Sequence, residues 1–125
     1  MARSRLPLAG CHVLVVEDQY LVADQMMRTV RELGGHVVGP APNARTALDL
    51  MARGHVDLAI LDVNLGGGDV YPVAAELKRR NISYIFATGY EKWVIPDDYQ
   101  GVPHLEKPVT VRALEDAVGR VSLGR

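Results

Sequence analysis

Short apolar runs alternate along the chain with apolar residues spaced three and four apart, so the period switches repeatedly between that of a strand and that of a helix. The first run, residues 12–16, predicts a strand. Val22, Met26, Val30 and Leu33 follow at spacings of four, four and three, the stripe of an amphipathic helix that Gly34 and Gly35 end. A second strand, about residues 36–38, leads through Gly39, Pro40, Ala41 and Pro42 to Asn43, an N-cap for a helix burying Ala44, Ala47, Leu48 and Met51. Gly54 stops that helix. The third strand, residues 57–61, is apolar on both faces after its first residue, as expected where helices cover both sides of a parallel sheet. Asp69 is positioned to cap the next helix, which turns Val73, Ala74 and Leu77 to the core. Lys78, Arg79 and Arg80 at its end complement the helix dipole and read as a solvated terminus.

Residues 83–87 predict a fourth strand, ending at Thr88 and Gly89. Beyond it the period fails. Residues 91–100 contain Pro96, Asp97 and Asp98, so any helix there is short or irregular, and Trp93 reads as its partly buried anchor. A fifth strand, about residues 103–105, reaches Lys107 and Pro108, and Thr110 caps a last helix with Val111, Leu114, Val118 and Val121 on one side. There is no internal repeat and no low-complexity tract. Five strands alternating with about five helices define an α/β fold, a doubly wound parallel sheet with helices on both faces. Ligands of such sheets bind beyond the carboxyl ends of the strands. Glu17 and Asp18 follow strand one, Asp62 strand three, Thr88 strand four and Lys107 strand five.

Composition narrows the class. The 125 residues fit one domain, with an ordered core over about residues 12–121 behind a short loose leader. A hydrophobic share of 48%, a charged share of 23% and a net charge of −1 give no basic excess for nucleic acid. The leader lacks the continuous apolar stretch of a secretory signal, and no run approaches the roughly 18 apolar residues of a membrane span, so a cytoplasmic protein without membrane contact is expected. Cys11, the sole cysteine, reads as a small apolar residue entering a strand. His12, His36, His55 and His104 are scattered, with no close spacing on one helix that suits a metal, and structural or solvated roles are expected for all four. Gly66, Gly67 and Gly68 lack the Gly-Lys-Ser/Thr ending of a nucleotide loop and read as a flexible loop at the rim of the site.

If strands one and three are neighbours, their three carboxylates converge, repel one another and attract a divalent cation. An Asp carboxylate attacks phosphorus to form an acyl phosphate when charge on the oxygens is neutralised, which points to a magnesium-assisted phosphoryl acceptor.

The ordered set of Glu17-Asp18, Asp62, Thr88 and Lys107-Pro108 resembles the receiver domain of two-component response regulators, over about residues 12–121. The segment Phe86-Ala87-Thr88-Gly89-Tyr90 further resembles the FAT-GUY subgroup, which often carries Pro where Ile85 stands here. The resemblance implies a flavodoxin-like sheet of order 2-1-3-4-5, with Asp62 as phosphoacceptor. It implies Mg2+ held by Asp62, by Asp18 directly, by Glu17 directly or through water, and by the backbone carbonyl of Asn64. Lys107 would place its ammonium near the phosphoryl oxygens, Thr88 would donate its hydroxyl to one of them, and Lys107-Pro108 would be cis. Tyr90 would shape access to the phosphoryl group. His104 stands where many receivers carry a Tyr or Phe that changes rotamer, a departure from the pattern. The implied partners are a sensor histidine kinase or phosphotransfer protein and a downstream protein target reached through the face near strands four and five. Service as a phosphate shuttle or sink is the other implied output. Residues 91–100, following Thr88, would respond to modification of Asp62, and the chain is expected to be a signalling domain that catalyses its own phosphorylation and dephosphorylation. A phosphatase-like hydrolase with an Asp nucleophile is the rival, but its usual second Asp two residues on is Asn64 here. The intact acidic, Thr and Lys set argues against a receiver fold that is never phosphorylated.

Overall fold

Successive side chains of a strand face opposite sides of a sheet, and the core of this chain divides accordingly. In the computed structural model, which describes residues 6–65, 68–89, 96–121 and 123, the chain order is β1 (His12–Val16), α1 (Tyr20–Glu32), β2 (His36–Ala41), α2 (Ala44–Arg53) and β3 (Leu58–Asp62). It continues through α3 (Tyr71–Arg79), β4 (Ser83–Thr88), a 3-10 turn (Asp97–Tyr99), β5 (His104–Glu106) and α4 (Val111–Val118). Val13 and Val15, Leu58 and Ile60, and Ile85 and Ala87 form one core with Met26 and Val30 of α1 and Leu114 and Ala117 of α4. Leu14 and Val16, Ala59 and Leu61, and Tyr84 and Phe86 form the other with Ala47 and Met51 of α2 and Val73, Ala74 and Leu77 of α3.

The strands are all parallel in the order β2-β1-β3-β4-β5, as the resemblance implied. Strand order reverses at β1, so the ends of β1 and β3 open on a crevice where loops leave to opposite faces. The caps read from the sequence are present at two helices: Asn43 accepts from the Thr46 N–H, and Thr110 from that of Ala113. At α3 the cap residue is Val70, one residue later than expected, and the Asp69 carboxylate accepts instead from the Tyr71 N–H at 2.8 Å.

Two expectations need correction. The second strand runs on through Gly39 and Pro40 to Ala41, past residue 38. Gly39 takes φ +108°, and a Cβ there would stand 2.9 Å from the Ala41 nitrogen and 3.1 Å from the Val15 carbonyl oxygen. Only glycine passes this bend easily, and pairing with β1 resumes in a shifted register at Val16 and Ala41. The leader is not loose throughout: Leu8 is fully buried in the α1 face of the core, and its N–H donates to the Leu33 carbonyl at 2.8 Å. Burying a leucine contributes about 1.5–3 kcal/mol, which explains why the packed part begins before His12. Between β4 and β5 the described residues hold a 3-10 turn, in keeping with the short or irregular element expected there. Tyr99 of that turn stacks on Tyr71 and meets Phe86 edge-on, with ring centroids 5.2 and 5.6 Å away, so it is anchored to the α3 side. Tyr90, Trp93 and the rest of residues 90–95 lie outside the described residues, as do Gly66 and Gly67.

Candidate functional site

Strand pairing brings the acids together. Val16 pairs with Leu61 across β1 and β3, so the next residue of each strand, Glu17 and Asp62, emerges side by side. The Glu17 N–H donates to the Ala41 carbonyl at 2.9 Å, extending the β1–β2 pairing by one residue, and its side chain accepts from the Gln19 N–H at 3.0 Å. That turn buries Glu17 and leaves Asp18 exposed at the rim. Glu17, Asp18 and Asp62 each offer a carboxylate oxygen, and the three oxygens lie within 4.8 Å of one another.

Lys107 enters from β5. Its backbone N–H donates to the Thr88 carbonyl at 2.7 Å, and its ammonium reaches Asp62 Oδ1 at 3.0 Å and Glu17 Oε1 at 3.2 Å. The peptide bond from Lys107 to Pro108 is cis, as the resemblance implied, and so is that from Gly39 to Pro40. Asp62 Oδ1 also accepts from the Asn64 N–H at 3.0 Å, whereas Asp62 Oδ2 is buried without a hydrogen-bond partner. An anionic oxygen left bare inside an acidic pocket is costly unless a cation faces it. The donor set, all oxygen and mostly carboxylate, fits magnesium.

Electrostatics reflects this crowding. Burial pushes the Glu17 carboxyl up to about 7; the Gln19 N–H opposes that, the Asp62 charge adds to it and Lys107 opposes it again. Burial pulls the Lys107 ammonium down, but its hydrogen bond to Asp62 and the charges of Asp62 and Glu17 outweigh this and leave it raised. Lys107 therefore stays charged.

The expected residues are not all turned inward. Thr88 closes β4 beside the site, but its hydroxyl donates to the Leu105 carbonyl at 3.4 Å, a long bond that holds it toward β5. His104 lies exposed on β5. Two residues the sequence reading passed over position the lysine loop: Gln25 Nε2 and Thr29 Oγ1 donate to the Val109 carbonyl at 2.7 and 3.0 Å. Each immediately precedes a position of the apolar stripe of α1, four apart, and that is their signal in the sequence. A cleft of about 460 Å3 leads to the site, lined by Gln19, Val22, Asn64, Gly89 and Lys107.

A doubly wound sheet with an acidic pocket and a lysine at its carboxyl edge is the architecture of a phosphoacceptor signalling domain. The family model described as the response regulator receiver domain matches residues 13–119, and the chain belongs to that family, the receivers of two-component response regulators. The positive alginate biosynthesis regulatory protein of Pseudomonas aeruginosa is 32% identical over 116 residues, covering 89% of this chain and 47% of the relative. The chain thus spans about half the length of that curated relative. The solution structure of SdrG from Sphingomonas melonis Fr1 superposes with a TM-score of 0.80 at 34% identity, covering 91% of this chain and 96% of that one. The BeF3-activated conformation of SdrG, from Pseudomonas melonis Fr1, gives a TM-score of 0.75 at 34% identity, covering 94% and 98%. Among the described residues no helix is long and apolar enough to cross a membrane.

Proposed function

We propose that Asp62 accepts a phosphoryl group from a phosphohistidine of a sensor kinase or phosphotransfer protein, in a magnesium-dependent reaction within the cytoplasm. The observation that carries this reading is the divided environment of Asp62: Oδ1 is fixed by Lys107 and the Asn64 N–H, while Oδ2 is bare and buried among carboxylates. A carboxylate oxygen of Asp62 attacks phosphorus, the P–N bond to the donor imidazole breaks, and its electron pair leaves on that nitrogen. Water later attacks the acyl phosphate, releasing phosphate and restoring the carboxylate. Glu17, Asp18, Asp62 and the Asn64 carbonyl would hold the magnesium ion, which when bound supplies positive charge against the phosphoryl oxygens. Lys107 orients the acceptor and neutralises a phosphoryl oxygen at its own ammonium. Thr88 would leave the Leu105 carbonyl and donate to another. The long Thr88 bond supports that exchange, because little is lost when it breaks.

On this reading the chain is one receiver unit that carries out its own phosphorylation and dephosphorylation rather than turning over a free substrate. Its output is contact with a downstream protein near β4 and β5, or passage of phosphate as a shuttle or sink. Tyr20 and Leu21, 74% and 79% exposed at the start of α1 beside the cleft, suit contact with the phosphodonor protein. The run Phe86-Ala87-Thr88-Gly89 supports the FAT-GUY subgroup.

The test is acid-quenched labelling with a small phosphodonor and magnesium. The parent is expected to take up one phosphoryl group per chain, and Asp62→Asn none, with the fold retained. Undiminished labelling of Asp62→Asn overturns the assignment. Sustained turnover of a phosphomonoester by the parent supports the hydrolase instead.

A further inference from the structure

The histidines that lie far apart in the sequence meet at the opposite edge of the sheet. His12 opens β1, and its register partner His36 opens β2. His55 and Asp57 lie in the turn from α2 into β3. The His12 and His36 rings stack with centroids 5.4 Å apart, and the His55 ring meets that of His12 edge-on at 5.6 Å. At their centre is Asp57, 2% exposed. One of its oxygens accepts from the His12 backbone N–H at 2.8 Å, and the other lies 2.7 Å from His55 Nε2. His12 Nδ1 stands 3.4 Å from Asp57 Oδ2 but is buried without a hydrogen-bond partner.

We propose that His12, His55 and Asp57 form a binding site for a divalent transition cation of the zinc class, distinct from the acidic pocket and at the other end of β1 and β3. His12 Nδ1, His55 Nε2 and an Asp57 oxygen lie within 4.8 Å of one another, in reach of a single ion. Two imidazole nitrogens and one carboxylate are ligands that zinc takes, whereas magnesium takes oxygen. The 3.4 Å between His12 Nδ1 and Asp57 Oδ2 matches the edge of a tetrahedron with metal–ligand bonds of about 2.1 Å. To reach the same edge, His55 must yield about 0.7 Å from its present 2.7 Å contact with Asp57. Its side chain is 68% exposed, so it is free to do so.

His55 satisfies one oxygen of Asp57, whereas His12 Nδ1, buried and 3.4 Å from the other, forms only a loose ion pair with it when protonated and no hydrogen bond, and a cation between the two would give that nitrogen a closer partner. A cleft of about 250 Å3 lined by Gly54, His55, Asp57, Arg80 and Asn81 offers an entry path. Arg80, the cation in that lining, is already held by Glu76 at 2.6 Å and by the Met51 carbonyl at 3.0 Å. Three protein ligands leave the fourth position to water, and the bound ion would tie the α2–β3 turn to the start of β1.

The test titrates the full chain with zinc chloride near neutral pH, with excess magnesium filling the acidic pocket and a chromophoric chelator as competitor. One zinc per chain is expected, with affinity falling about tenfold or more in His55→Gln and in His12→Gln. Asp18→Asn and His104→Gln should bind as the parent does. His55→Gln keeps an N–H donor able to reach the buried Asp57 carboxylate, and the variant should still be folded without metal at the titration temperature, which separates ligand loss from unfolding; a raised melting temperature on adding zinc should be confined to chains with both histidines. Absence of zinc binding under excess magnesium overturns the proposal. So does parent-like binding by either ligand variant, or loss of binding in Asp18→Asn or His104→Gln.

Discussion

Glu17 is the residue whose ionisation most constrains the site. Burial drives its carboxyl up to about 7, so the folded chain holds this proton more tightly than the unfolded chain does. The sign follows from linkage: a raised acid favours the folded state below its ordinary pKa of 4.5, and that contribution is lost as pH rises toward about 7. With one pKa unit equivalent to about 1.4 kcal/mol, the loss is on the order of 3 kcal/mol. Urea unfolding of the metal-free parent should therefore show stability falling between about pH 5 and pH 8, and Glu17→Gln should remove most of that slope. An unchanged slope in Glu17→Gln would assign the titration to another group. Lys107 acts in a different window: its pKa is raised, so its contribution is complete at neutrality and lost as pH rises from its ordinary 10.5 through its folded value.

Among the described α-helices, α4 is the shortest and is held at its start by a side chain. It spans eight residues, begins just after the lysine loop and is capped by the Thr110 hydroxyl, which accepts from the Ala113 N–H at 3.1 Å. Thr110→Ala should cost about 1 kcal/mol, read as a lower urea midpoint at unchanged m-value, and Thr110→Ser should restore most of it. This cap was legible in the sequence, as were the strand cores and the stripes of α1, α2 and α3, because period and capping chemistry are local. The convergence of Glu17, Asp18 and Asp62 was legible too, since a parallel sheet puts the ends of its strands on one edge. Other features depend on tertiary geometry. The extension of β2 turns on the bend at Gly39 opposite Val15. The direction of the Thr88 hydroxyl depends on the carbonyl that β5 presents to it. The histidine cluster forms because the same sheet gathers strand beginnings as well as ends, so residues 12, 36 and 55 meet despite their separation in sequence.

Across the whole molecule, polar chemistry sits at both ends of a dry sheet. Asp57 and Asp62 bracket β3, and the residues between them, Leu58, Ala59, Ile60 and Leu61, are all fully buried. At about 3.3 Å per residue the two carboxylates are roughly 16 Å apart, beyond the range at which substitutions usually interact. Asp57→Asn removes the charge that the His12 N–H and His55 satisfy, and should destabilise the chain by about 1–3 kcal/mol. Asp62→Asn takes a partner from Lys107 but also relieves repulsion on Glu17, so these two effects oppose each other. Whatever the sign at Asp62, the double variant should equal the sum of the single ones to within about 0.5 kcal/mol in metal-free urea unfolding at one pH. Agreement would establish that the two ends are energetically separate, so that a cation held at the histidine edge leaves Asp62 unaffected. An interaction energy above about 1 kcal/mol would instead make β3 a rigid connection between them, and occupancy of one end would then be felt at the other.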